Sequence, residues 1–119
     1  MIVDFKSKKL WKACSDEKEM QKRWDDITRD KLDQRLSELS AATCLADISH
    51  LPPPRLHAYT NDPNGKLSID VHGGVRILFR VGDDPVPLRK DGSLNREAVT
   101  HIVIVSVDDP HDKKHKKSR

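Results

Sequence analysis

The sequence predicts an α+β domain in which helices precede a run of strands. As far as residue 39, apolar residues recur at three- and four-residue steps, as they do along one face of a helix. After the proline run Pro52-Pro53-Pro54 the period changes to two, which is typical of strands. Helices first and strands afterwards is the order of an α+β fold. A chain of 119 residues is long enough for one core and too short for two.

The N-terminal part is predicted to hold a short strand and two helices. Met1–Phe5 alternates weakly between apolar and polar residues, and Lys8–Ala13 indicates a brief helix. A longer helix is predicted over 16–39, capped by Ser15 or Asp16. These helices should form a helical hairpin that packs on a small, mainly antiparallel sheet. The apolar stripe expected on the longer helix consists of Met20, Trp24, Ile27, Leu32, Leu36 and Leu39.

Three strands are expected after the prolines. Lys66–Val71 and Val75–Val81 alternate with period two and are joined through two glycines, which predicts an antiparallel hairpin. The polar stretch Gly82–Thr100 should be a long excursion. His101–Val107 is rich in β-branched residues and is expected to be a buried central strand. Within the second strand of the hairpin, Arg76 and Arg80 share one face and the apolar residues share the other.

The composition favours a cytoplasmic protein. No apolar run approaches the roughly 20 residues that a membrane helix requires, and the first residues lack the charged-then-apolar pattern of a secretory signal. The two cysteines, Cys14 and Cys44, are too few to predict a metal site. We expect two buried thiols, with a disulfide as the alternative. No membrane partner, metal or small-molecule cofactor is expected.

The C-terminal residues 113–119 supply the positive net charge. They contain five Lys or Arg residues and no acid, so the rest of the chain carries 17 basic against 19 acidic residues, and the net charge falls from +3 to about −2. We therefore predict a domain over 1–112 and a disordered basic tail over 113–119. Any affinity for nucleic acid must come from that tail or from a local patch. Residues 51–80 form such a patch, with Arg55, Lys66, Arg76 and Arg80 against Asp62 and Asp70.

The residue types in this patch suit cleavage of RNA without a metal. When the ribose 2′-hydroxyl is the nucleophile, the reaction requires a base, cations around the phosphate and an acid for the leaving 5′ oxygen. Histidine suits the proton transfers because its ordinary pKa lies near 6.5, and the arginine fork matches two phosphate oxygens. The candidates are His57, Arg76, Arg80, Asp109 and His111.

In two motifs within 51–80 and in the ending Asp108-Asp109-Pro110-His111, the chain resembles the RelE/ParE superfamily of bacterial toxins. The resemblance is to the HigB-like branch in particular. The motifs are RLHAY at 55–59 and KLSIDVHGGVRILFR at 66–80. The resemblance implies a RelE-like sheet and an active site that contains His57, Arg76, Arg80, Asp109 and His111. It further implies that RNA is bound by Arg55, Tyr59 and Lys66.

The function implied by this resemblance is that of the toxin in a type II toxin–antitoxin module. Such a toxin is a ribosome-dependent mRNA endoribonuclease that inhibits translation, and its partners are the ribosome, mRNA and a cognate helix-turn-helix antitoxin. The chain departs from the family pattern at Pro110, where relatives have tyrosine, and proline supplies neither a hydroxyl nor an aromatic ring. The alternative is therefore a catalytically weak or inactive toxin-fold protein that acts by binding an antitoxin or another protein.

Overall fold

A five-stranded sheet organises the fold, which a computed structural model describes for residues 1–58 and 65–109. Its strands lie in the order β1-β5-β4-β3-β2. Strands β1 and β5 are parallel and all other neighbours are antiparallel. The strands are β1 (Ile2–Phe5), β2 (His57–Ala58), β3 (Leu67–His72), β4 (Val75–Val81) and β5 (His101–Asp108). The α+β class and the mainly antiparallel sheet predicted from the sequence are confirmed.

Three α-helices follow β1, where the sequence predicted two. They are α1 (Lys8–Ser15), α2 (Glu17–Arg23) and α3 (Asp26–Ala41). The single helix predicted over 16–39 is interrupted because the Asp25 carboxylate accepts a hydrogen bond from the Thr28 amide at 2.8 Å and starts a new helix. The inclusion of Ile27 in the apolar stripe is wrong, since its side chain is 55 % exposed. None of the helices in the described ranges has the length and apolar character needed to cross a membrane.

The core lies between α3 and one face of the sheet. Leu32 and Leu39 of α3 are fully buried and belong to one hydrophobic cluster with the inward residues of the strands. Because side chains alternate along a strand, the residues between these inward positions point to the opposite face of the sheet. We call this second side the outer face. On β3 and β4 it is formed by Ser68, Asp70, Arg76, Leu78 and Arg80.

The strands after the prolines form as the sequence predicts. β3 and β4 make the expected hairpin, and its turn contains Gly73 at a positive φ of 59°. β5 pairs with β1 on one side and β4 on the other, so its prediction as a central strand is confirmed. The excursion before it contains only a bridge between Leu88 and Leu94 and a 3₁₀ turn at Arg96–Ala98.

Both cysteines are free thiols, but their surroundings differ. Cys14 is buried, and this burial raises its pKa to about 11. Cys44 is only partly buried, so the prediction of two buried thiols is wrong for this residue. Trp11 of α1 has an exposed side chain although it is a large apolar residue. The predicted tail over 113–119 lies outside the described residues.

Candidate functional site

Three of the predicted site residues lie on the outer face of the sheet. His57 is paired with Ser68, and Ser68 is paired with Leu78, so these residues form one row across β2, β3 and β4. Arg76 and Arg80 lie two residues to either side of Leu78. With about 4.8 Å between strands and about 3.3 Å per residue, the Cα of His57 lies about 12 Å from that of each arginine. The fold thus brings one histidine and two long cationic side chains to one surface.

The imidazole of His57 is oriented by the backbone. Its Nδ1 lies 2.7 Å from the carbonyl oxygen of Arg55. A carbonyl oxygen only accepts hydrogen bonds, so Nδ1 must carry a proton to make this contact. In the neutral ring the lone pair then resides on Nε2. His57 is therefore arranged to accept a proton at Nε2.

Arg55 is bound to a carboxylate of the neighbouring strand. Its Nε lies 2.6 Å from Oδ2 of Asp70 and its Nη2 lies 3.1 Å from Oδ1, which is a bidentate pair. The hydrogen bond to Asp70 raises the pKa of the Arg55 guanidinium above its usual value. The backbone of Arg55 has a φ of +48°, which is uncommon for a residue with a side chain. Arg55, which is predicted to bind RNA, makes these polar contacts within the protein.

Arg76 and Arg80 differ in their electrostatic surroundings. The Nε of Arg76 lies 3.9 Å from Oδ1 of Asp70, and its partner in the ladder with β5 is Asp108. Arg80 is exposed and has no ion-pair partner among the described residues; its Nη1 makes a single 3.5 Å contact with the carbonyl oxygen of Val81. Of the two arginines, Arg80 is therefore the better placed to receive an anionic ligand.

Ser68 is a polar residue of this surface that the sequence did not point to. It is fully buried, and its Oγ has no hydrogen-bond partner within the described part of the chain. Leaving a buried hydroxyl unsatisfied costs about 1–3 kcal/mol. Ser68 is paired with His57, so this unsatisfied hydroxyl lies on the strand next to the imidazole. Strand alternation assigns Ser68 to the polar face of β3, and the sequence carries no further signal.

The remaining predicted residues are not all gathered at His57. The Asp109 carboxylate lies against the β3–β4 turn, where a Cβ added to Gly74 would be 2.3 Å from its Oδ2, so it is found at the Arg76 end of the sheet. Lys66 directly precedes β3 and is partly buried. Three further positions in the predictions lie outside the described residues, namely Tyr59, Pro110 and His111.

A second histidine on the outer face makes a hydrogen-bond contact with a carboxylate that was not predicted from the sequence. The Nε2 of His101 lies 2.7 Å from Oδ2 of Asp4, which joins β5 to β1. Its ring packs on Gly82, where an added Cβ would be 2.9 Å from three ring atoms. His101 lies three strands and four residues from His57, a separation of about 20 Å. The two histidines therefore belong to different parts of the surface.

Neither a metal cluster nor a relative identifies the site. Within the ranges 1–58 and 65–109, no group of three or more His, Cys, Asp or Glu side chains is arranged to hold a metal ion. Comparisons of the chain with family models, with curated proteins and with solved structures give no match. The resemblance to the RelE/ParE superfamily therefore rests on the quoted motifs alone.

Proposed function

We propose that the protein is the toxin of a type II toxin–antitoxin module, with a RelE-like sheet, and that it cleaves mRNA on the ribosome. The observation that carries this proposal is the environment of His57. Its Nδ1 is held by the Arg55 carbonyl at 2.7 Å, so that Nε2 is left to accept a proton on the same face as Arg76 and Arg80. The RLHAY and KLSIDVHGGVRILFR motifs supply the toxin class.

In the proposed reaction, Nε2 of His57 takes the proton from the ribose 2′-hydroxyl as its oxygen attacks the neighbouring phosphorus. The bond between phosphorus and the 5′ oxygen then breaks, which leaves a 2′,3′-cyclic phosphate and a 5′-hydroxyl. Arg80 offsets the negative charge that develops on the phosphoryl oxygens. The 5′ oxygen must receive a proton, and His111, which lies outside the described residues, is the proposed acid.

Expression of the protein alone and with its neighbouring gene tests the toxin assignment. Expression alone should arrest growth, and co-expression of a helix-turn-helix antitoxin should relieve the arrest. Normal growth at confirmed expression of folded protein would contradict the toxin assignment. Cleavage of mRNA on programmed ribosomes tests the nuclease assignment separately.

The role of His57 is tested by replacing it with alanine. We expect His57→Ala to reduce cleavage by about a hundredfold, which is at the low end of the range for loss of general acid–base catalysis. His50→Ala is the matched control because His50 is exposed and belongs to no strand. Equal cleavage by both variants would exclude His57 as the base. No cleavage by the wild-type protein, with or without ribosomes, would exclude a nuclease.

A substitution at Pro110 is expected to raise the rate of cleavage, whereas His57→Ala lowers it. If relatives use the tyrosine hydroxyl and ring at this position, Pro110→Tyr should raise the rate of cleavage, because it restores a stacking ring and a proton donor beside Asp109 and His111. The measurement is single-turnover cleavage of mRNA on programmed ribosomes. An unchanged rate in a wild-type protein that already cleaves well would show that the tyrosine is dispensable here.

The second candidate function is binding without catalysis, and the charge balance of the outer face favours it. Asp70 is paired with Arg55 and lies 3.9 Å from Arg76, so one carboxylate offsets two of the cations on which a phosphate site would depend. We expect an antitoxin to contact the segments over 16–39 and 83–100. These segments expose Ile27, Val86 and Leu88, which a protein partner could cover. Complex formation with the antitoxin, together with the absence of cleavage, would support this function.

A further inference from the structure

We propose that Asp70 is a positioning residue that fixes the tautomer and orientation of His57 through Arg55. The consequence for catalysis rests on the proposed function, whereas the positioning itself concerns only residues of this chain. Asp70 lies on β3, two residues beyond the partner of His57, and does not contact the imidazole in the described structure. Its influence has to pass through the segment that precedes β2.

Each polar group of Asp70 contacts either residues 54–55, which precede β2, or helix α3. The amide of Asp70 donates to the carbonyl oxygen of Pro54 at 2.8 Å. Its carboxylate accepts both hydrogen bonds of the Arg55 guanidinium, at 2.6 and 3.1 Å. Its carbonyl oxygen accepts from Nε of Arg35 at 3.0 Å, which ties β3 to α3. Residues 54 and 55 are thus held to β3 through both backbone and side chain.

This double attachment matters because the backbone of Arg55 is in a conformation that it would not adopt by itself. A φ of +48° is unfavourable for a residue with a Cβ, and such conformations persist only where the surroundings enforce them. The carbonyl group of Arg55, directly after this strained torsion, is the acceptor for Nδ1 of His57 at 2.7 Å. If the attachment is released, the backbone can relax and this carbonyl can turn away from the ring.

The expected consequence is a change in which ring nitrogen carries the proton. With the carbonyl in place, the proton is held on Nδ1 and the lone pair on Nε2. Without it, the neutral ring exchanges its proton between both nitrogens, and Nε2 carries the lone pair for only part of the time. Through this attachment Asp70 acts on the availability of the base, separately from the effect of its charge on Arg55 and Arg76.

The experiment is ¹⁵N NMR of the histidine-labelled protein in the absence of RNA, at a pH at which His57 is neutral. The wild-type spectrum should show the Nδ1–H tautomer for the signal that disappears in His57→Ala. Asp70→Asn and Arg55→Lys should each give averaged nitrogen shifts. Arg80→Gln, on the same face but outside the attachment, should leave the tautomer unchanged. An Nε2–H tautomer in the wild type, or an unchanged tautomer in both variants that loosen the attachment, would overturn the proposal.

Kinetics separate this proposal from the proposed function. Asp70→Asn should lower kcat about tenfold because the base is less often available, whereas KM should not rise, because the substitution also removes the carboxylate that offsets Arg55 and Arg76. Arg55→Lys provides the same comparison if the Asp70 variant fails to fold, as judged by circular dichroism. A fixed Nδ1–H tautomer in a protein that does not cleave RNA would exclude the nuclease and leave the positioning intact. An averaged tautomer in a wild-type protein that does cleave RNA would exclude the positioning and leave the nuclease intact.

Discussion

Replacing the buried arginine of α3 should destabilise the fold more than replacing an exposed one. Arg35 is 2 % exposed. Its Nε donates to the carbonyl oxygen of Asp70 at 3.0 Å, and its Nη1 lies 3.1 and 3.3 Å from the two carboxylate oxygens of Glu38. A buried charge is tolerated only when such partners offset its loss of solvation. Arg35 therefore joins α3 to the strand that carries Asp70.

The size of the effect follows from what Arg35→Ala removes. A hydrogen bond from a charged donor contributes about 1.5–3 kcal/mol, and the methylene groups at Cγ and Cδ, which alanine lacks, contribute about 0.8 kcal/mol each. The ion pair adds at most about 1 kcal/mol, since Glu38 is 38 % exposed. The variant also removes the cost of burying a guanidinium, so we expect a net loss of about 3 kcal/mol. Arg35→Met keeps an apolar stem without the charge, and its loss should be about 1 kcal/mol.

Urea unfolding followed by circular dichroism measures both losses. The urea concentration at the midpoint of unfolding should fall. The dependence of the unfolding free energy on urea concentration should change little, because the surface exposed on unfolding is nearly the same in each variant. Arg80→Ala is the control, and its effect should stay under about 0.5 kcal/mol because the side chain is exposed. A loss below about 1 kcal/mol for Arg35→Ala, or equal losses for the alanine and methionine variants, would refute this reasoning.

Three further predictions follow from the outer face and its edge. Arg80→Ala should lower RNA cleavage about a hundredfold, whereas Arg76→Ala should lower it less, because a carboxylate 3.9 Å away already offsets that cation; equal losses would contradict the distinction. Partial burial raises the pKa of Asp83, but hydrogen bonds from Thr100 and His101 outweigh it, so the pKa is lowered overall. The ionised carboxylate therefore stabilises the fold above the ordinary carboxyl pKa, and this stabilisation is lost as the pH falls through the lowered pKa. Asp83→Asn should therefore flatten the acid side of the plot of unfolding free energy against pH, and an unchanged plot would contradict this. Gly82→Ala should lower stability by about 1–3 kcal/mol, since its Cβ would meet the His101 ring at 2.9 Å; thermal unfolding measures the loss, and a wild-type melting temperature would show that the ring moves aside without cost.

The elements that the sequence predicted correctly are those whose signal is local. The hairpin of β3 and β4 follows from alternation on both sides of a glycine turn, and each of these features is visible within 66–81. The last strand is recognisable because five of the six residues over 102–107 are β-branched, and β-branched residues favour strands. Such patterns do not depend on which parts of the chain meet.

The helix break at Asp25 could not be assigned from the same local pattern. An aspartate within an amphipathic stretch is compatible with an exposed position in a continuous helix or with an N-cap. The cap is formed here, and Ile27 is consequently exposed instead of facing the core. Only packing against the sheet distinguishes the two arrangements.

The contacts of Asp70 could not be predicted from the sequence for a different reason. Its partners come from α3, from the segment after the prolines and from β4, and Arg35 is 35 residues away along the chain. Strand alternation predicted that Arg76 and Arg80 share a face, and they do. It did not predict that only Arg76 lies near a carboxylate, because this depends on the register of the hairpin, which shifts between Asp70 and His72.

Asp70 has opposite effects on the two requirements of the proposed reaction. Its carboxylate offsets the charge of Arg55 and Arg76, which weakens attraction for a phosphate, and it holds the segment that orients His57. Residues 1–112 carry about −2 net charge, so general attraction for RNA does not compensate for this loss. An enzyme built in this way would depend on the ribosome to deliver its substrate. On the proposed function, weak cleavage of free RNA and faster cleavage on programmed ribosomes therefore have one cause, which is that a carboxylate of the site orients the base instead of leaving the cations to bind RNA.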